Sequence, residues 1–381
     1  MRIELMKHFK VTGSITLTFV AGAGIAAMVN CQEPDRGRSL KLNQIQVIGT
    51  HNSYHAGIAP SESILWQQKN AKAFEGLDYH HPPLTQQLDS GVRQIELDIF
   101  ADSEGGRYAH PAEPQMVAEA HLPPDPPFDP EGAMMKPGFK VMHVQDVDYR
   151  SVCEPFTACL REVREWSHAH PHHIPIFILV ETKRGESAGS MKLTEPEPFT
   201  AKTFDALDAE IRSVFAPKEL ITPDDVRGHY ATLNEAVLAG NWPTLENARG
   251  KVVFLMDQQW AGPIYLEGHP SLRGRILFTN AQPGEPDAAF IERNDGPASE
   301  ITDLVRKGYL VRTRADDSTR EARVDDTRRR DAMLASGAQI VSTDYPASEP
   351  ARWEGHYSVS LPGDVPARCN PVNAATGCSV R

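Results

Sequence analysis

The stretch "QVIGTHNSYH", residues 46–55, opens as a strand and ends as something else. Ile45, Val47 and Ile48 are apolar and β-branched, which suits a buried pleated surface. Gly49 and Thr50 then give way to His51, Asn52 and Ser53, polar groups with no evident role in a core. A buried strand that delivers an imidazole and an amide to its tip points to a site at that end of a sheet.

Seven further runs share the pattern: "VRQIELDIF" (92–100), "FKVMHV" (139–144), "IPIFILVETK" (174–183), "KVVFLMD" (251–257), "RILFTN" (275–280), "GYLVRTRA" (308–315) and "GAQIVSTDYP" (337–346). Several are near-continuous apolar runs, as expected of parallel strands covered on both faces. Helical periodicity fills the gaps. "FTACLREVREWSHAHP" (156–171) places Leu160, Val163 and Trp166 on one face, and "TFDALDAEIRSVF" (203–215) repeats Phe204, Leu207, Ile211 and Phe215. "LTQQLDSG" precedes the second run, "ASEITDLVRKG" and "EARVDDTRRRDAMLASG" the last two, with Gly337 a C-cap. Eight strands alternating with helices predict an α/β fold, a single (β/α)8 TIM-type barrel. An open doubly wound sheet is the alternative, weakened because no Gly-rich loop follows the first strand. Residues 101–138 carry Pro111, Pro114, Pro123, Pro124, Pro126, Pro127, Pro130 and Pro137. So many prolines argue against a regular helix and predict a long surface loop, either a substrate rim or a passive insertion.

The 381 residues carry a net charge of −12. That argues against a nucleic-acid partner, which needs a basic face to displace phosphate counterions. Arg2, Lys7 and Lys10 precede the uncharged run Val11–Val29, so residues 1–30 read as a signal peptide or a membrane anchor. Residues 31–43 read as a linker and 44–381 as the barrel domain; the product is expected to be exported and monomeric. Cys31 stands where a lipidated cysteine would, although "AMVNC" is a poor lipobox. In an exported chain the other cysteines pair most economically as Cys153–Cys159 and Cys369–Cys378, the latter stapling the tail after Pro346.

In a barrel the C-terminal strand ends converge on one face. The first tip offers His51 and Asn52, the second Glu96 and Asp98, the third His143 and the fourth Glu181 and Lys183. The seventh offers Arg312 and Arg314, the eighth Asp344. Residues two apart on a strand point the same way, so Glu96 aims with Asp98 and Glu181 with Lys183. Three crowded carboxylates and an amide oxygen are hard donors. They favour Ca2+ or Mg2+ over zinc. Two histidines supply a base and an acid, and the cationic groups suit a phosphate. Together the tips read as metal-assisted phosphodiester cleavage. Each group also has a plainer reading. A lone strand-end histidine is more often structural, Glu181 and Lys183 can be surface charges, and Arg312 can pair with Asp316. His55, His80, His81, His110, His121, His168, His170, His172 and His173 read as loop or helix-surface residues.

The elements "IGTHNSYH", "QLDSGVRQIELDIF", "PGFKVMHVQDVDYRSVC", "CLREVREWSHAHPHHIPIFILVETK", "VRTRADDSTREAR" and "GAQIVSTDYP" resemble the secreted calcium-dependent phosphatidylinositol-specific phospholipase C family of bacteria and fungi. The resemblance implies a TIM barrel that cuts phosphatidylinositol at a membrane or micelle surface into diacylglycerol and a cyclic or open inositol phosphate. It assigns His51 and His143 as catalytic residues and Asn52, Glu96, Asp98 and Glu181 as Ca2+ ligands. It gives Lys183 a phosphate or inositol contact and places Arg314 and Asp344 in matching motifs on the substrate side. The base is then either a histidine or a metal-bound carboxylate; His51 is favoured near the attacking hydroxyl and His143 as the acid, an order that the sequence does not fix. Two rival readings stand beside it. One is a metal-dependent phosphodiesterase for glycerophosphodiesters or sphingophospholipids on the same barrel. The other is a non-catalytic surface lipid binder, which would not need both histidines.

Overall fold

The computed structural model describes residues 40–185 and 192–380. The basic, apolar N-terminal stretch and Cys31 lie outside them. The strands are β1 (Ile45–Thr50), β2 (Gln94–Phe100), β3 (Lys140–Val141), β4 (Ile176–Thr182), β5 (Leu220–Ile221), β6 (Val252–Met256), β7 (Phe290–Glu292), β8 (Leu310–Arg314), β9 (Ile340–Thr343) and β10 (Arg368–Cys369). Parallel pairing runs in the order β5-β6-β4-β2-β1-β9-β8-β7. The gap between β6 and β7 is bridged by residues 278–280, through the parallel bridges Leu255–Phe278 and Asn280–Phe290. The two-residue β5 flanks the start of β6 on that same side; counted as β1, β2, β4, β6, residues 278–280, β7, β8 and β9, the wall has eight positions and closes as an α/β barrel.

Six of the eight expected strands are barrel strands: β1, β2, β4, β6, β8 and β9. The other two need correction. "RILFTN" contributes bridge pairs rather than a regular strand. "FKVMHV" is not the third barrel strand: β3 runs antiparallel to β2, with Ile99 opposite Val141. Pro137 and Gly138, at φ +123°, turn the chain back just before it. The barrel strand absent from the sequence reading is β7, whose three residues are too short to show a period.

The core explains why these segments hold. Every residue of β1, β2 and β6 is buried, including the apolar Ile95, Leu97, Ile99, Val253, Phe254 and Leu255. Full burial of each such side chain contributes about 1.5–3 kcal/mol. Helix Phe156–Ala169 buries Phe156, Leu160, Val163 and Trp166 on one stripe and stops before Pro171. Helices Ala298–Lys307 and Arg328–Ser336 end at Gly308 and Gly337, at φ +101° and +84°, where a side chain would be strained. Leu40 and Leu42, which fall in the expected linker, are already buried with the core. Among the described residues no helix is long and apolar enough to cross a membrane.

The Pro-rich insertion does contain a helix, Glu113–Glu119. Pro114 sits in its first turn, where its missing N–H costs no helical hydrogen bond. The insertion also has a small core of its own, in which Tyr108 and Met134 meet Phe100, Met142 and Tyr149. Cys153–Cys159 and Cys369–Cys378 are both disulfide-bonded.

Candidate active site

Register builds the acidic cluster. β2 and β4 pair so that Asp98 lies directly beside Glu181, with Glu96 one inward-facing position earlier. Oxygens of Glu96, Asp98 and Glu181 all come within 4.8 Å of one another. Lys183 Nζ reaches into the cluster, 3.2 Å from Asp98 and 3.1 Å from Glu181. Burial and the Glu181 charge push Asp98 well above the usual carboxylate range. Burial alone would raise Glu181 too, but Lys183 holds it below its ordinary value. Burial drives Glu96 up to about 7, although Arg312 pulls the other way. Arg312 is itself buried and spans Glu96 and Glu292 in an ion pair on each side, rather than pairing with Asp316.

Asn52 lies two residues past the end of β1, next to Ser53, which exchanges hydrogen bonds with the Glu96 backbone. The Asn52 backbone is left-handed, at φ +45°, and its Nδ2 donates to the Tyr79 hydroxyl at 2.8 Å. Its Oδ1 is buried and has no hydrogen-bond partner among the described residues. Three crowded carboxylates with no sulfur or imidazole among them are hard oxygen donors for a divalent cation, so Glu96, Asp98 and Glu181 fit calcium, and the orphaned Asn52 amide oxygen is a further hard donor from the turn after β1.

The histidines stand on either side. The β1–β9 ladder ends at Thr50–Thr343, which brings His51 beside Asp344. His51 Nδ1 is 2.7 Å from Asp344 Oδ1, its Nε2 is 3.7 Å from Glu96, and Arg314 Nη1 lies 3.1 Å from the same Nε2. Arg314 also meets Asp344 Oδ2 at 3.3 Å. Burial and the Arg314 charge push the His51 pKa down to about 3, against the pull of Asp344. Asp316 supports Asp344 from behind by accepting its backbone N–H at 3.1 Å. His143 does not sit at a barrel-strand tip; it enters from the side, two residues after β3. Its Nδ1 is 2.7 Å from Asp148 Oδ2, across a tight turn closed by the Val144–Asp148 bridge. Both imidazoles reach solvent, with 19% and 24% of their side chains exposed, whereas Asp344 and Asp148 are almost wholly covered.

The sequence-expected groups thus assemble, with changed roles for some. Asp344, expected on the substrate side, is buried and bonded to His51. Arg314 braces the same pair. Lys183 meets carboxylates. His55, His81 and His173 are buried, not surface residues. His55 Nε2 is 2.9 Å from Asp148 Oδ1, and His81 Nε2 is 3.0 Å from the His51 carbonyl. Burial lowers the His55 pKa and Asp148 more than reverses this, leaving it raised. Asp148 in turn is held below the usual carboxylate range: burial raises it, but His55 and His143 outweigh burial. Sequence reasoning also missed Asp257, at the end of β6, which burial and Glu292 push well up. No periodicity marks Asp148 or Asp257. For His55 the signal was its place three residues beyond Asn52 in the same turn.

Residues 40–371 match the family model "Phosphoinositide phospholipase C, Ca2+-dependent". Among solved structures, the calcium-dependent phosphoinositol-specific phospholipase C of a Pseudomonas species is similar over 87% of this chain and 96% of that one, at 18% identity and a TM-score of 0.52. The Ca2+-dependent phosphatidylinositol-specific phospholipase C of Streptomyces antibioticus is similar over 80% and 95%, at 20% identity and a TM-score of 0.50. These likenesses show the barrel fold. No curated protein matches the chain. With the family model spanning nearly the whole described structure, the chain belongs to the Ca2+-dependent phosphoinositide phospholipase C family and is a phosphodiester-cleaving enzyme.

Proposed function

We propose that this enzyme cleaves phosphatidylinositol-type lipids with His51 as general base and His143 as general acid, beside a calcium held by Asn52, Glu96, Asp98 and Glu181. The observation that carries this reading is the pair of His–Asp dyads, His51–Asp344 and His143–Asp148, on either side of the carboxylate cluster. Arg314 has only hydrogens to offer, so its contact with Nε2 requires a lone pair there and a proton on Nδ1. That is the tautomer of a base. His51 takes the proton of the inositol hydroxyl as its oxygen attacks phosphorus. His143, its Nδ1 fixed on Asp148, presents Nε2 to the departing glycerol oxygen and protonates it. The first product is then a cyclic inositol phosphodiester, which water opens with the two histidines exchanging roles. Bound calcium would neutralise the carboxylates and acidify a coordinated hydroxyl. Lys183, beside the carboxylates that would hold the ion, would offer its ammonium to the phosphate. Arg314 and Asp344 act on His51 rather than on the lipid.

The two disulfides support an exported enzyme, and the net charge of −12 speaks against a nucleic-acid partner; we read it as a monomer acting on phospholipid. Phosphorus NMR of phosphatidylinositol micelles with the enzyme, with calcium and with a chelator, tests the reading. A cyclic phosphodiester signal that depends on calcium is expected. Direct formation of the open monoester, with no cyclic signal at any time, sinks the attack by the inositol hydroxyl and favours a glycerophosphodiesterase-like cut by water.

A further inference from the structure

We propose that His55 is a positioning residue for His143, acting through Asp148. His55 is fully buried and cannot touch substrate. Its Nε2 lies 2.9 Å from Asp148 Oδ1, and its Nδ1 lies 3.1 Å from the Tyr79 carbonyl oxygen. An ionised carboxylate only accepts, so the His55 ring presents a buried N–H to Asp148 Oδ1. The other Asp148 oxygen accepts from His143 Nδ1 at 2.7 Å. A carboxylate held at one oxygen can turn about its Cβ–Cγ bond; held at both, it presents a fixed oxygen to His143.

The same design stands behind the other histidine. Asp344 takes His51 Nδ1 on one oxygen, at 2.7 Å, and the Arg314 guanidinium on the other, at 3.3 Å. Each catalytic imidazole is thus backed by a carboxylate whose second oxygen is held by a buried N–H donor. His55 is the Arg314 of the second dyad. Its own place is set by the chain: its N–H donates to the Asn52 carbonyl at 2.8 Å, its carbonyl accepts from the His81 N–H at 2.8 Å, and its ring lies 4.7 Å from that of Tyr79.

The inference rests on His143 being the acid, and the test separates the two. Turnover is measured on phosphatidylinositol micelles and on a soluble inositol phosphodiester of 4-nitrophenol, whose leaving group departs without protonation. His143→Ala is expected to lose about 10²–10⁴-fold on the lipid and far less on the nitrophenyl ester; equal losses overturn the acid assignment itself. With that pattern in hand, His55→Leu is expected to lose about 10–100-fold in kcat on the lipid, with KM little changed and the nitrophenyl rate kept. His55→Gln, which retains an N–H for Asp148, recovers most of the lipid rate. Equal losses of His55→Leu on both substrates reduce His55 to a structural residue, and an unchanged lipid rate removes its role; either overturns the inference. Should His55→Leu not fold, Asp148→Asn is read on the same two substrates. It keeps the shape and cannot accept from both rings with both oxygens; a loss confined to the lipid supports the inference and a loss on both overturns it.

Discussion

Arg314 Nη1 lies 3.1 Å from His51 Nε2, while the other ring nitrogen, Nδ1, makes its 2.7 Å contact with Asp344. A permanent cation at Nε2 keeps the ring neutral with its proton on Nδ1 against Asp344, and the same cation steadies the carboxylate behind it. Arg314→Met removes both effects. A loss of about 10²–10³-fold in kcat/KM is expected, with the circular dichroism spectrum unchanged. Wild-type kinetics in this variant would show that the contact is incidental to the base.

Calcium binds the folded chain and not the unfolded one, so it raises the melting temperature in proportion to the logarithm of its concentration. Asp98→Asn is expected to abolish that rise. The same variant should melt no lower than the wild type in chelator, because it relieves a buried charge whose protonation burial and Glu181 already favour. Differential scanning calorimetry with and without calcium reads both outcomes, and a calcium shift that survives in Asp98→Asn would move the ligand set elsewhere.

Gly49 faces Gln94 across the β1–β2 pair, and a Cβ added there would fall 2.7 Å from Gln94 Cβ. The strands must separate to admit it. Since β1 carries Asn52 and β2 carries Glu96 and Asp98, Gly49→Ala is expected to weaken calcium binding by about tenfold, as a sub-ångström displacement of a ligand pair does. Isothermal titration with calcium measures it; unaltered affinity in a folded variant would mean that the Gln94 side chain yields instead.

His173 gives the fold a pH dependence remote from the site. It is buried, with Ser167 Oγ 2.7 Å from Nε2 and the Ile174 carbonyl 2.7 Å from Nδ1. Burial lowers its pKa from 6.5 to about 4. The unfolded chain therefore binds a proton that the folded chain refuses, and stability falls as pH drops from about 6.5 to about 4. The loss is ~2–3 kcal/mol over that window and is absent above it. Urea midpoints at pH 7 and pH 4.5 should differ less in His173→Gln than in the wild type.

Much of the site was legible because it lies on strands. The period of two put Glu96 with Asp98 and Glu181 with Lys183, and convergence of strand ends did the rest. His143 was found as a residue but misplaced, since a short run that folds back antiparallel looks in sequence like one that continues the wall. The partners behind the histidines were not legible. Asp148 reaches His143 through a turn, His55 is buried by contacts far along the chain, and Asp316 supports Asp344 from a loop; none of these follows from a spacing. The helix at Glu113 was missed for a different reason. Proline in the first turn is compatible with a helix, and counting prolines over the whole insertion hid the position of Pro114.

The barrel wall is uneven in strength. Six of its eight positions are regular strands of four residues or more, but between β6 and β7 it is closed by two isolated bridges, and β7 itself has three residues. Counting round the ring from β1, that closure is the fifth position, diametrically across from the strand that carries His51 and Asn52. A seam of so few hydrogen bonds is where amide protons exchange first and where the cylinder would begin to unroll. Breathing of the molecule is thereby directed to the far side, and the wall that aligns both dyads with the acidic cluster stays shut while it happens.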